Sequence, residues 1–203
     1  MGCFVSSDEN LGESYPILCI GGPSGAGKDT VMNKVLERFE GKLKKVAQHT
    51  TRARRPTEVE GFNYYYVSED EFLKMDKNGE MLEYIKWGDY YYGLAKSTYE
   101  RESKCGKVIY LVIGVDDFKQ LKAKNIPIKT IAILPPSEEA IAERLKGRGT
   151  EDEESIKVRI KVNQEEMRLL KEFGCDAEII NDNLDKAVDD MCEKLKEFYP
   201  CLK

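Results

Sequence analysis

Nine residues between an apolar run and an amphipathic one restrict the fold more than any other stretch: Gly22-Pro23-Ser24-Gly25-Ala26-Gly27-Lys28-Asp29-Thr30. Before them, Ile17-Leu18-Cys19-Ile20 has the length and bulk of a buried strand. After them, Val31, Val35, Leu36 and Phe39 recur at helical spacing until Gly41. A strand that turns through glycines into a helix aims backbone N–H groups at one point, at the positive end of the helix dipole. That is a phosphate site, and Lys28 supplies a cation for the terminal phosphates of a nucleotide. A glycine-rich turn of no function is the bland alternative, and motif and context together weigh against it. Such loops normally place Ser or Thr after the lysine, where the hydroxyl meets Mg²⁺. Here the residue is Asp29, a harder Mg²⁺ ligand that also repels phosphate. Asp29 is expected to meet the metal directly or through a water. Thr30 beside it is the second candidate and also offers a hydroxyl to a phosphate oxygen.

Three further apolar strands are read at Val108–Ile113, Ile128–Leu134 and Ala177–Ile180. Pro135-Pro136 stops the second of these, and Ser137 is placed to cap the helix that follows, with Glu138 and Glu139 in its first turn. Ile156, Ile160, Val162 and Met167 mark another helix, and Leu184 to Phe198 a last one. Strands alternating with helices predict right-handed crossovers and a parallel sheet between helical layers, an α/β fold of three layers. Residues 50–97 break the alternation. They are polar, basic and rich in tyrosine, then acidic, and read as an inserted small lobe. The 203 residues, 41% hydrophobic, are enough to bury a core without metal or disulfide. No run approaches about 18 apolar residues, so no spanning helix is expected. The net charge of −5 argues against non-specific binding of nucleic acid. Six cysteines and one histidine show no metal-ligand spacing, which excludes a structural zinc site and points to reduced thiols in the cytoplasm.

Residues 1–14 stand apart from the domain at 15–203 and read as a flexible tail. Met1-Gly2-Cys3-Phe4-Val5-Ser6 fits the N-myristoylation pattern, with Cys3 placed for a second acyl chain. A polar tail that matches by chance is an equal alternative. One acyl chain anchors weakly, and the nearby charges, Asp8, Glu9 and Glu13, are acidic. The expected place is therefore the cytoplasm, on its membrane face if Gly2 and Cys3 are acylated.

The lobe opens with His49-Thr50-Thr51-Arg52-Ala53-Arg54-Arg55-Pro56, followed by Glu58, Gly61 and Tyr64-Tyr65-Tyr66. Arginine forks fit phosphate bidentately, and tyrosine hydroxyls add neutral donors. Behind a phosphate loop this cluster reads as a second phosphate site, for an acceptor. Farther on come Leu82-Glu83-Tyr84, Tyr91-Tyr92-Gly93, the Gly147 to Arg159 segment and Asn181-Asp182. With these motifs in this order, the sequence resembles guanylate kinase from Tyr15 to the C-terminus. The resemblance implies transfer of the ATP γ-phosphoryl group to GMP with Mg²⁺, and a parallel-sheet core with a GMP-binding lobe and a helical lid at 147–158. By the same resemblance, Arg52, Arg55, Tyr64 and Tyr92 bind the GMP phosphate. Glu83 accepts from guanine N1–H and the 2-amino group, and only guanine offers that paired donor edge to a carboxylate. Arg148, Arg159 and Arg144 correspond to arginines that grip the ATP phosphates, where convergent cations stabilise the transferring phosphoryl group. Arg144 has an equal alternative as a surface partner of glutamates one helical turn away. Glu58 is as well suited to hold Arg52 or Arg55 as to touch the ligand. His49 is read as structural.

Beyond Asp29, four positions depart from the family. Val112 and Gly114 stand where an Asp-x-Asp pair is usual, and Leu94 stands where Ser or Thr is usual. Gln48 replaces a guanine-binding serine, and its amide is able to donate to guanine O6. Asp116 and Asp117 follow the altered pair, at a spacing that does not fit simple replacement. Two other readings follow from these departures. Asp29 and Gly114 also match the ribose 1,5-bisphosphate phosphokinases related to guanylate kinase. A guanylate-kinase-like domain that binds partners without catalysis is the other, although Lys28, Arg148 and Arg159 are all present.

Overall fold

The computed structural model describes residues 15–147 and 153–203. Gly2, Cys3 and Arg148 lie outside the described residues. The elements run, in order, β1 (Ile17–Gly21), α1 (Lys28–Arg38), β2 (Leu43–Lys45), β3 (Gln48–Thr50), β4 (Tyr64–Tyr66), α2 (Glu69–Lys77), β5 (Met81–Trp87), β6 (Tyr90–Ala95), α3 (Lys96–Glu102), β7 (Val108–Val112), α4 (Val115–Ala123), β8 (Ile128–Leu134), α5 (Glu138–Gly147), α6 (Glu153–Phe173), β9 (Ala177–Ile180) and α7 (Leu184–Phe198), with a final 3₁₀ turn at Pro200–Leu202.

Five strands form a parallel sheet in the order β2-β7-β1-β8-β9. All five residues of β1 are buried, as a strand covered by helices on both faces must be. Its side chains alternate between two cores. Leu18 and Ile20 join Val31, Met32, Val35, Val188, Met191 and Leu195 of α1 and α7. Ile17 and Cys19 join Val115, Phe118, Leu121 and Leu170 of α4 and α6. The sheet is thus the middle of three layers. β1, at its centre, delivers the glycine loop at its C-terminal edge, the edge where ligands bind in open α/β sheets.

A second sheet, in the order β4-β3-β6-β5, is mixed: β3 pairs with β4 in parallel, and β6 pairs antiparallel with β3 and β5. Its small core holds Phe72, Met81 and Ala95. Helix α2 covers it and begins with a reciprocal cap: Ser68 Oγ accepts from the Glu71 N–H, and Glu71 Oε2 accepts from the Ser68 N–H. The Ser137 cap appears as well, accepting from the Ala140 N–H.

Among the elements absent from the sequence reading are β2, β4, β6, α3 and α4. β2 and β4 have three residues each and no burial alternation strong enough to mark them. α4 follows β7 after only Ile113 and Gly114. Its first turn is held by Asp117, whose Oδ2 accepts from the Gly114 N–H at 3.0 Å.

Candidate active site

The loop after β1 is fixed from three sides. Gly22 has φ +141°, and a Cβ there would lie 2.1 Å from the Ile133 carbonyl oxygen. Gly27 has φ +87°, and its Cβ would strike the Asn181 amide at 2.4 Å. Neither position accepts a side chain. Asn181, just past β9, donates to the Ala26 carbonyl at 2.8 Å and so ties the last strand to the loop. Arg144 on α5 in turn donates to the Asn181 carbonyl at 2.7 Å. Half-buried, it stands as a brace behind the loop.

Helix α6 supplies the third side. Asn163, 2% exposed, accepts from the Ser24 N–H at 2.9 Å and donates to the Ser24 carbonyl at 2.8 Å. Arg159 donates to Ser24 Oγ at 3.1 Å. The Glu166 carboxyl accepts from the Gly22 N–H and lies near Lys28, and burial pushes it up from the usual carboxylate range. Lys28 Nζ donates to the Gly22 and Pro23 carbonyls. Asn163 and Glu166 escaped the sequence reading. The signal was there: 159, 163 and 166 are spaced by four and three residues, one face of a helix.

Across the sheet edge, Arg52, Tyr64 and Tyr92 come together. The Arg52 guanidinium lies 5.6 Å from the Tyr64 ring centre, the two tyrosine rings are 5.9 Å apart, and Arg52 also reaches the Tyr92 phenol. Glu58 organises this group. It pairs with Arg52 through both oxygens, at 2.7 and 3.1 Å, and accepts from the Arg55 N–H and the Tyr66 hydroxyl. These bonds, Arg52's first, hold its carboxyl down to about 2. Arg55 itself is exposed.

Between loop and lobe lies a cleft of about 160 Å³, lined by Asp29, Lys45, Val46, Gln48, Asn63, Tyr64 and Val112. Asp29, exposed on the first turn of α1, thus faces the same space as the acceptor residues. Thr30, next to it, is exposed and is not part of this lining. Lys45 and Asn63 are further polar groups here that the sequence left unmarked. Among the described residues, no cluster of three or more His, Cys, Asp or Glu is placed to hold a metal.

At the base end, Glu83 is wholly buried. Gln48 Nε2 donates to its Oε1 at 2.8 Å, so the amide expected on guanine O6 is engaged by Glu83 here. Burial, then the charge of Asp117, pushes the Glu83 carboxyl well above the usual range, while the Leu94 N–H opposes that rise. The Leu94 side chain is itself buried in the core. Asp117, 1% exposed, is in side-chain contact with Glu83 and is also raised by burial. His49 stacks on Tyr65 at 5.0 Å, and burial lowers its pKa, which favours a neutral ring of structural role.

Comparison with known proteins agrees with this geometry. A family model described as guanylate kinase matches residues 14–198. Guanylate kinase of Trichormus variabilis is 36% identical over 175 residues, covering 86% of each chain. That of Caldanaerobacter subterraneus is 38% identical over 173 residues, 85% of this chain and 82% of the other. The crystal structure of guanylate kinase from Anaplasma phagocytophilum superposes with a TM-score of 0.69 at 27% identity, over 94% of this chain and 90% of that one.

Proposed function

The chain belongs to the guanylate kinase family, and from that premise we propose how its residues carry out the transfer. It is an ATP:GMP phosphotransferase that gives ADP and GDP. The observation that carries the reading is one cleft lined by both donor-side and acceptor-side groups: Asp29 from the loop helix, Gln48 and Tyr64 from the lobe.

The loop of residues 22–28 takes the ATP phosphates on its N–H groups, and Lys28 exchanges its bonds to the Gly22 and Pro23 carbonyls for phosphate oxygens. Arg159 approaches from α6, already at Ser24. Arg144 positions the loop through Asn181. On the other side Arg52, Arg55, Tyr64 and Tyr92 hold the GMP phosphate, with Arg52 oriented by Glu58. Glu83 reads the guanine edge. No general base is required, because a loose phosphoryl transition state is served by alignment and convergent positive charge. A Mg²⁺ ion fits a site with one carboxylate, since it usually takes one or two together with substrate phosphates, and Asp29 is the residue that would hold it. When bound, the ion neutralises charge on the phosphates.

The cytoplasm is the proposed compartment. The five described cysteines are all free, which suits reducing surroundings, and no helix among the described residues is long and apolar enough to cross a membrane.

A coupled ADP-release assay with ATP and Mg²⁺ tests the reading on GMP, dGMP, AMP, UMP and ribose 1,5-bisphosphate. Turnover with the guanine nucleotides is expected. Turnover confined to the sugar bisphosphate, or GMP binding without turnover, overturns it.

A further inference from the structure

Glu83 and Asp117 come from different layers of the molecule. Glu83 lies on β5 of the second sheet, and Asp117 on α4, which packs against the parallel sheet. Their side chains meet at 0% and 1% exposure. One oxygen of each has a protein donor: Gln48 Nε2 for Glu83 Oε1, and the Gly114 N–H for Asp117 Oδ2. The other two, Glu83 Oε2 and Asp117 Oδ1, are buried with no protein donor.

Every element packed on the pair adds dipoles or further acids. Gln48 comes from β3, the Leu94 N–H from β6, and the Gly114 N–H and Asp116 from the start of α4. The Cys19 thiol of β1 and the Glu166 carboxyl of α6 also lie within reach of its charge. The largest influences on the two carboxyls are burial, each other, the neighbouring acid Asp116 and these hydrogen bonds. Two carboxylates in contact in such surroundings do not both ionise, and one shared proton serves both orphaned oxygens.

A ligand edge with adjacent N–H donors does the same work without that proton. Guanine has such an edge: N1–H and the two hydrogens of the 2-amino group. The family's aspartates at 112 and 114 are missing here, and Asp117, held by the Gly114 N–H, returns a carboxylate to that end of the site from the first turn of α4. We propose that Asp117 reads the guanine 2-amino group beside Glu83, and that the proton the two carboxyls share leaves to solvent as GMP binds. The proposal rests on GMP being the acceptor. The balance is one neutral acid and one carboxylate before binding, two carboxylates hydrogen-bonded to the base afterwards, and one proton in bulk water. The Gln48 amide gives up Glu83 Oε1 to the base N–H in the same exchange.

Calorimetric titration of the full chain near neutral pH, in buffers of different ionisation heat, counts the protons. GMP is expected to release about one, and IMP, which lacks the 2-amino group, close to none. Asp117→Asn, whose amide donates permanently to Glu83, should release none and prefer GMP over IMP about tenfold less than wild type. GMP binding with no proton released, or an unchanged GMP-to-IMP preference in Asp117→Asn, overturns the proposal. Should that variant fail to fold, the wild-type contrast between GMP and IMP decides alone. Absence of any GMP binding overturns instead the functional reading beneath it, and shows as absent heat rather than as heat without a proton.

Discussion

Arg52 and Glu58 meet in a two-pronged ion pair, Nη2 to Oε1 at 2.7 Å and Nη1 to Oε2 at 3.1 Å. The same carboxylate accepts from the Arg55 N–H and the Tyr66 hydroxyl. Three residues of the acceptor lobe therefore share one anchor, and the planar guanidinium is aimed before ligand arrives. Preorganised forks lose less entropy on binding phosphate than free ones.

Replacing that anchor should blunt GMP binding without touching ATP. Glu58→Gln keeps the shape but gives up the charge, and the KM for GMP is expected to rise about tenfold, with kcat and the KM for ATP little changed. Steady-state kinetics with each substrate varied in turn makes the check. A lower melting temperature with unchanged KM would reduce Glu58 to a structural role.

The same residue makes an acid-range prediction. Its carboxyl is held at about 2 in the folded chain, against an ordinary 4.5, by Arg52 first and then by the Arg55 N–H. A group depressed on folding stabilises above its unfolded value, and that contribution is lost as pH falls toward the folded one. The gap in melting temperature between wild type and Glu58→Gln should be full above pH about 5 and close toward pH about 2. A gap independent of pH across that window removes the ion pair from the account.

How much of this was legible beforehand depends on how local each requirement is. The loop of residues 22–30 announces itself because glycine geometry, lysine and the strand-to-helix context all sit within one short run. The parallel sheet follows from apolar runs such as Ile17–Gly21, buried on both faces. β4 does not, since three half-buried tyrosines have no hydrophobic period to detect. The contact of Glu83 with Asp117 was hidden for another reason. It exists only because α4 packs on β5, and spacing along the chain carries no trace of that. Asn163 lies between: helical arithmetic from Arg159 places it on the right face, but only the fold shows that Ser24 is what it meets.

Asn163 closes two hydrogen bonds on the Ser24 backbone, one in each direction. Asn163→Ala leaves both of those backbone groups without this partner and loosens the loop at its tip. The KM for ATP should rise about tenfold and stability should fall by about 1–3 kcal/mol, while GMP affinity stays put. Thermal melts with and without ATP separate the two effects. Loss of stability alone would make the clamp a packing feature with no part in nucleotide binding.

Asp29 offers a test with two opposite signs. As a metal ligand it draws Mg²⁺ into the cleft, and as an anion it repels bare phosphate. Asp29→Ala, which leaves no ligand at this position, should therefore raise the Mg²⁺ concentration for half-maximal activity about tenfold. The same substitution should tighten binding of ATP measured in chelator, where only the repulsion is removed. If the Mg²⁺ dependence does not move, Asp29 is not the metal's residue, whatever happens to metal-free ATP.

Glu83 separates base reading from phosphate handling. It sits wholly buried on β5, bonded to Gln48, which lines the cleft, while the ATP loop follows β1 in the parallel sheet. Glu83→Gln keeps the volume and one acceptor oxygen but turns the second acceptor into a donor, which meets the guanine N–H edge head-on. The expected result is a fall of about a hundredfold or more in kcat/KM for GMP, with ATP affinity within about twofold of wild type. The Asp117 carboxyl, given a permanent amide donor, should then ionise without sharing a proton, so the residual GMP binding loses its proton release as well. Equal losses for both nucleotides would mean that Glu83 holds the sheet together and reads nothing. A selective loss that keeps wild-type proton release would leave Glu83 as the reader and move the proton to another group.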